Sequence, residues 1–147
     1  MRRLQIEVMK LDALEYLGQV KKIDSMIINK YRDYKRWVEI AEGMGDVSAS
    51  ERVQSSRNLQ QIPNAIGRYI DIERDIEKLK AERLAILCTL EKLPPTEYEV
   101  LYKLYVEDYL LKELPSLFHK SYEWVKKRKR SAICHLQIIL DEKGADR

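Results

Sequence analysis

Five consecutive basic residues, Lys126-Lys127-Arg128-Lys129-Arg130, follow Ser121-Tyr122-Glu123-Trp124-Val125. Ser121 is suited to accept a hydrogen bond from a free amide of a helix's first turn. Val125, Ala132 and Leu136 recur at helical spacing and form an inward stripe. That stripe turns Tyr122, Glu123, Lys126, Lys127 and Arg130 outward. Lysine and arginine on the outer face of a helix match the phosphates that line a DNA major groove. A solvated basic face produces the same pattern, so this stretch alone leaves both readings open.

Composition narrows the choice. The chain has 147 residues, 45% of them hydrophobic, which is enough to build a core. Glycine and proline are scarce, at five and four, and 35% of residues are charged, which favours an extended helical protein over sandwich or α/β folds. Net charge is only +3, so the basic run is a local feature of a near-neutral chain, the pattern of a directed nucleic-acid contact. Glu97, Glu99, Glu107, Asp108 and Glu113 precede it. Cys88 and Cys134 lie in apolar helical patterns and read as small core residues of a reducing cytoplasm, not as a disulfide framework or a zinc site. No apolar run approaches bilayer-spanning length and the N-terminus does not read as a signal peptide, which places the chain in the cytosol with no membrane partner.

Catalytic chemistry finds no purchase. There is no glycine-rich phosphate loop, no His-Glu-x-x-His and no nucleophile motif, so the chain reads as a non-enzyme without cofactor or metal. His119 and His135 stand apart from other ligand types and read as a turn residue and a helix-surface residue. Tyr98, Tyr102, Tyr105 and Tyr109 read as packing at a helix junction. Trp124, next to the buried anchor, packs against the preceding helix in preference to stacking on bases.

The elements that must position the basic run are all helical. Residues 2–42 carry a three–four stripe of Leu4, Val8, Leu11 and Leu14, resumed after Gly18 by Val20, Ile23, Ile27, Tyr31, Tyr34, Val38 and Ala41. Gly18 is the place for a bend or break. Residues 43–62 form a loop, with Pro63 in the first turn of a second helix over 63–92. Its stripe is Ile66, Tyr69, Ile72, Ile76, Leu79, Ile86, Leu90 and Leu93, with Arg83 as a polar interruption. Two such helices suggest an antiparallel, coiled-coil-like hairpin whose leftover apolar face favours a dimer. Pro94-Pro95 ends the second helix. Thr96, with Glu99 three residues on, reads as the capping box of a third. The chain turns near Glu107-Asp108, runs through a short helix at 110–118, and turns again at His119-Lys120 before a recognition helix at 121–136. Lys143–Arg147 reads as a frayed tail. The expected domains are 1–92, a hairpin region containing the 43–62 loop, and 93–147.

From Leu93 to Leu136 the chain resembles the promoter-reading helix-turn-helix of bacterial sigma factors, region four. The family's opening Leu-Pro and acidic-apolar helix are matched by Leu93-Pro94-Pro95-Thr96-Glu97-Tyr98-Glu99-Val100-Leu101. Its Glu-Ile-Ala, apolar residue, turn and Ser/Thr are matched by Glu113-Leu114-Pro115, Phe118, His119-Lys120 and Ser121, and its closing residues by Val125, Ala132-Ile133 and Leu136. Pro115 replaces the usual alanine, His119-Lys120 the usual glycine and apolar residue, and Tyr122-Glu123 the usual Arg-Glu. As a whole the chain looks like the phage-encoded ArpU/RinA-like late-gene activators, with Arg52-Val53-Gln54-Ser55-Ser56 as a further short similarity.

These resemblances imply a sequence-specific transcription regulator of a phage or prophage, acting on double-stranded DNA in the bacterial host cytoplasm, with host RNA polymerase as a possible partner and a homodimer as the favoured state. Ser121, Tyr122, Glu123, Lys126, Lys127, Arg128 and Arg130 are then the DNA-binding residues. Lys126, Lys127 and Arg130 supply affinity, Glu123 and Tyr122 tune sequence choice, and Arg128 and Lys129 sit at the flank for phosphates or acidic neighbours. A small terminase-like, DNA-recognising assembly subunit and a protein-only coiled-coil adaptor are the alternatives.

Overall fold

The computed structural model of the chain describes residues 12–43 and 55–145, with side chains over 12–43 and 64–143. Every regular element among the described residues is helical, as the composition predicts. Helix α1 is Ala13–Gly43 and α2 is Ser55–Leu90. Helix α3, Pro95–Leu101, runs on as a π-helical turn at Tyr102–Val106. A 3-10 turn at Leu111–Glu113 leads into α4, Leu114–Phe118, and α5 is Tyr122–Ala145. No helix of the described residues is long and apolar enough to cross a membrane.

Several boundaries differ from those expected. The stripe positions Leu4, Val8 and Leu11 and the Arg52–Gln54 part of the short similarity lie outside the described residues. Gly18 does not break α1, which is continuous through it. Helix α2 begins at Ser55, so the loop expected over 43–62 is helical from that point, and Pro63 lies about two turns inside it. Residues 55–62 lack an apolar period, but they contain no glycine or proline to oppose a helix. Thr96 does not cap α3. Pro94 is the N-cap and Pro95 the first helical residue, without a side-chain cap. A proline there has no amide to satisfy, and its fixed φ already suits the helix. The turn at Glu107-Asp108 is where it was expected, with Asp108 left-handed at φ 66°.

The chain divides into two compact units: one holds the described residues up to Lys22 and from Arg83 onward, the other is Ile23–Glu82. In the Ile23–Glu82 unit, Ile23, Ile72, Ile76 and Leu79 are buried. Lys30 Nζ reaches Asp75 Oδ2 at 3.0 Å, Tyr34 Oη donates to Glu73 Oε1 at 3.0 Å, and Tyr34 meets Tyr69 edge-on at 5.8 Å. Partner numbers fall along α2 as they rise along α1, so these segments pair antiparallel. Each buried aliphatic contributes about 1.5–3 kcal/mol. An exposed ion pair such as Lys30–Asp75 contributes about 0–1 kcal/mol, so apolar burial decides the pairing. Ile66 and Tyr31, expected on the inner face, are exposed, because the buried register of α2 is Ala65, Ile72, Ile76 and Leu79.

In the other unit, Ala13, Tyr16, Leu17 and Val20 of α1 are buried, as are Leu90, Leu93, Val100, Leu101, Leu114, Val125, Ala132, Leu136 and Leu140. Leu14 points outward, because the inner stripe uses an alanine and a tyrosine beside it. Both cysteines are exposed, which overturns their placement in the core. Each sits in an apolar helical pattern but off the buried stripe: Cys88 is one residue before the buried Thr89 on α2, and Cys134 lies two residues from both Ala132 and Leu136, on the far side of α5.

Thr89 is buried, and its hydroxyl is fully used. It donates to the Ala85 carbonyl at 3.0 Å and accepts from Tyr16 Oη at 3.0 Å and Lys143 Nζ at 2.7 Å. Lys143 is therefore tied down, not part of a frayed tail. The near-isosteric Thr89→Val removes the acceptor of the Tyr16 hydroxyl, which is buried, and an orphaned buried donor costs about 1–3 kcal/mol. Urea denaturation should show that loss in Thr89→Val and most of the stability kept in Thr89→Ser. Equal midpoints for Thr89→Val and the parent chain would show that the three-way bond contributes nothing.

Candidate nucleic-acid interface

The basic run is carried by α5, and the turn before α5 decides how it is presented. Leu110 N–H donates to Glu113 Oε1 at 3.3 Å and starts the 3-10 turn. Pro115 follows in the first turn of α4, where its missing amide costs nothing. Helix α4 ends at His119, whose backbone is left-handed at φ 56° and ψ 42°. Lys120 N–H then reaches back to the Pro115 carbonyl at 3.1 Å. This is the helix-ending arrangement that glycine usually serves, here carried out by a histidine. Ser121 Oγ accepts from Trp124 N–H at 3.1 Å, so Ser121 caps α5 as its residue type predicts.

Packing then sets the rotation of α5. Val125 is fully buried with Val100 and Leu114, and Leu104, Tyr109, Leu111, Phe118 and Trp124 pack around that trio. The partial packing of Trp124 was expected, and its ring lies 6.3 Å from that of Phe118 on α4. Tyr109 joins the same cluster, and Tyr98 and Tyr102 lie ring to ring at 5.5 Å. At 3.6 residues per turn, the arc opposite Val125 holds Glu123, Lys127, Arg130 and Cys134. All four are exposed.

The expected site residues therefore divide into four groups. Glu123, Lys127 and Arg130 form the outermost arc. Tyr122 and Lys126 lie to one side, where Lys126 Nζ is 5.1 Å from the Tyr122 ring centre and 3.6 Å from Glu123 Oε1. Arg128 lies on the opposite side, with Cζ 5.3 Å from the Trp124 ring centre, and Lys120 Nζ sits 5.6 Å from the same ring. Ser121 contributes its hydroxyl to the cap. Helix α5 also runs well past residue 136, to Ala145. Its second half is anchored by Gln137, whose Oε1 accepts from Ala13 N–H at 2.9 Å.

Sequence reasoning missed the residue that ties α3 to α5. In the sequence Glu97 is one of several acids preceding the basic run, with nothing to set it apart, and it is buried. Its Oε1 accepts from Ser131 Oγ at 2.6 Å, and its Oε2 lies 2.7 Å from His135 Nδ1. His135 was expected on the helix surface; its side chain is half exposed, but its ring is held by this bond. Burial pushes the Glu97 carboxyl up. The bonds from Ser131 and His135 and the charges of His135 and Arg128 outweigh that, and the carboxyl rests below its ordinary range. The one available signal was the four-residue spacing of Ser131 and His135 on a face leading away from the apolar stripe. Among the described residues, no three metal-binding side chains come together.

A groove of about 290 Å³ opens beside α5, lined by Leu111, Lys126, Lys129, Arg130 and Ile133. Comparison of the chain with protein-family models, curated proteins and solved structures finds no match.

The turn and the buried carboxylate each lead to a test. A left-handed backbone costs a side-chain-bearing residue about 1–2 kcal/mol, so His119→Gly should raise the thermal midpoint while leaving helix content unchanged. A lowered midpoint would show that the histidine ring contributes more than its backbone costs. A carboxyl whose pKa is depressed on folding stabilises the fold above its unfolded pKa, and that contribution is lost as pH falls through the folded value. Glu97→Gln should therefore cost about 1–3 kcal/mol at neutral pH, and its deficit against the parent chain should shrink on acidification through the carboxylate range. A deficit independent of pH would contradict the ionised state assigned to Glu97.

Proposed function

We propose that this chain is a sequence-specific DNA-binding regulator of transcription and not an enzyme. In this reading α4, the His119 turn and α5 form a helix-turn-helix of the sigma region-four kind, and α5 enters a major groove. The observation that carries the reading is the rotation of α5. Burial of Val125 leaves Glu123, Lys127 and Arg130 as an exposed arc on a helix that is capped, packed and pinned through Glu97. A rigid helix presenting cations and one hydrogen-bond acceptor suits base edges flanked by phosphates. Glu123 can accept from a cytosine amino group, and Lys127 and Arg130 reach guanine or phosphate oxygens.

The antiparallel α1–α2 pair would serve as a coiled-coil-like hairpin for dimerisation. Exposed Met26, Ile28, Ile66 and Ile70 support that role. Two copies would then read two half-sites. The resemblance to ArpU/RinA-like activators makes phage or prophage late-gene control in the bacterial host cytoplasm the setting we favour, with host RNA polymerase as a second partner.

Replacing Lys126 and Lys127 together by alanine should weaken binding to every duplex and lower the slope of log affinity against log salt by about 2, one per lost phosphate contact. Fluorescence anisotropy across a salt series measures both, with circular dichroism confirming the fold. Unchanged affinity in a folded variant would remove the DNA role from this face.

A further inference from the structure

Lys129 and Arg128 are neighbours in the basic run, yet the fold sends them to opposite sides of α5. Arg128 stacks on Trp124 and faces the Glu97 side. Lys129 is half-buried and lines the groove between the Leu111 turn and α5, together with Lys126 and Arg130. Leu111 and Ile133 supply the groove's apolar lining.

From this geometry we infer that the groove seats one deoxyribose phosphate of the DNA backbone, with Lys129 as a phosphate ligand beside Lys126 and Arg130. The inference rests on the DNA-binding reading above and deepens it. Three cations around two aliphatic side chains match a sugar phosphate, which offers an anionic oxygen cluster next to the carbon face of a sugar. A base edge is a poorer fit, since it asks for paired donors and acceptors and the groove offers only donors. The groove's position agrees. It flanks the outward arc of Glu123, Lys127 and Arg130, and a helix lying in the major groove has the backbone at its flank. Arg130 lines the groove and also belongs to the arc, so it links the two contacts. Lys129 is half-buried in the groove lining, and a lysine so placed can bury its stem while its ammonium stays at the surface. A phosphate seated there fixes the register of α5 on the duplex and carries no sequence information.

The test compares Lys129→Gln with Arg128→Gln by anisotropy on several short duplexes of different sequence, over a salt series. The glutamine keeps most of the stem, and circular dichroism checks the fold. Lys129→Gln should weaken binding to all the duplexes alike and reduce the salt slope by about 1. Lys129→Arg should restore the slope, and Arg128→Gln should change it less than Lys129→Gln does. A Lys129→Gln chain that keeps the parent slope, while the parent binds DNA, overturns the phosphate seat and leaves the DNA reading standing. A parent chain that binds no duplex even at low salt overturns both. Binding to polyglutamate under the same conditions would then assign the groove to an acidic protein.

Discussion

The burial of Val125 against Val100 and Leu114 is the constraint on which the basic helix depends. A helix has no preferred rotation about its own axis until one face is taken out of water. Here the choice is made by aliphatic groups, each contributing about 1.5–3 kcal/mol. The exposed charges on the same helix contribute far less, since a pair such as Lys126–Glu123 is a surface interaction. The basic residues therefore do not determine where α5 lies. They occupy the directions that the core leaves open, which frees them for an external partner.

Apolar packing fixes the rotation, but alone it would tolerate sliding along the axis. Buried polar groups remove that freedom, because each is satisfied in one geometry only. Glu97 bonds both Ser131 and His135, one turn apart on α5. Further along, Gln137 receives the Ala13 amide and Lys143 reaches Thr89. These contacts hold α5 at successive points, while its first turns, with the exposed cations, project beyond them. No buried side-chain nitrogen or oxygen among the described residues lacks a partner, so these anchors carry no unpaired polar atom.

Much of this was legible in the chain itself. The all-helical class followed from composition, and Ser121, Val125 and the turns at Asp108 and His119 followed from local chemistry. Such features depend on residues within one or two turns of each other. What could not be read depends on partners far away in sequence. Glu97 resembles any surface glutamate until Ser131 and His135, 34 and 38 residues on, meet it. Thr89 is paired across 73 residues with Tyr16. Cys88, Cys134 and Leu14 were misplaced for a related reason: one position of helical offset, as at Leu14 and Cys88, is about a quarter turn, and two, as at Cys134, about half a turn, either enough to move a side chain from core to solvent. At Thr96 a local rule did fail. The helix starts at Pro95, whose fixed φ suits a first helical residue, so Thr96 lies inside the first turn and not at the cap.

A run of like charges is accordingly the wrong unit in which to discuss the function of this helix. Lys126 through Arg130 span more than one full turn, so consecutive members point in different directions. Lys127 faces outward, Arg128 lies on the Trp124 ring, and Lys129 turns into the groove beside Leu111. Around α5 the positive charge is thus spread over several directions, with gaps along the buried stripe and on the Trp124 and Ser131 side. Its potential is also local, because the run holds five positive charges while the whole chain nets only +3, so the rest of the chain is slightly acidic. The attraction for anions falls away within about one Debye length of α5, so the field is a property of this helix and not of the surface at large.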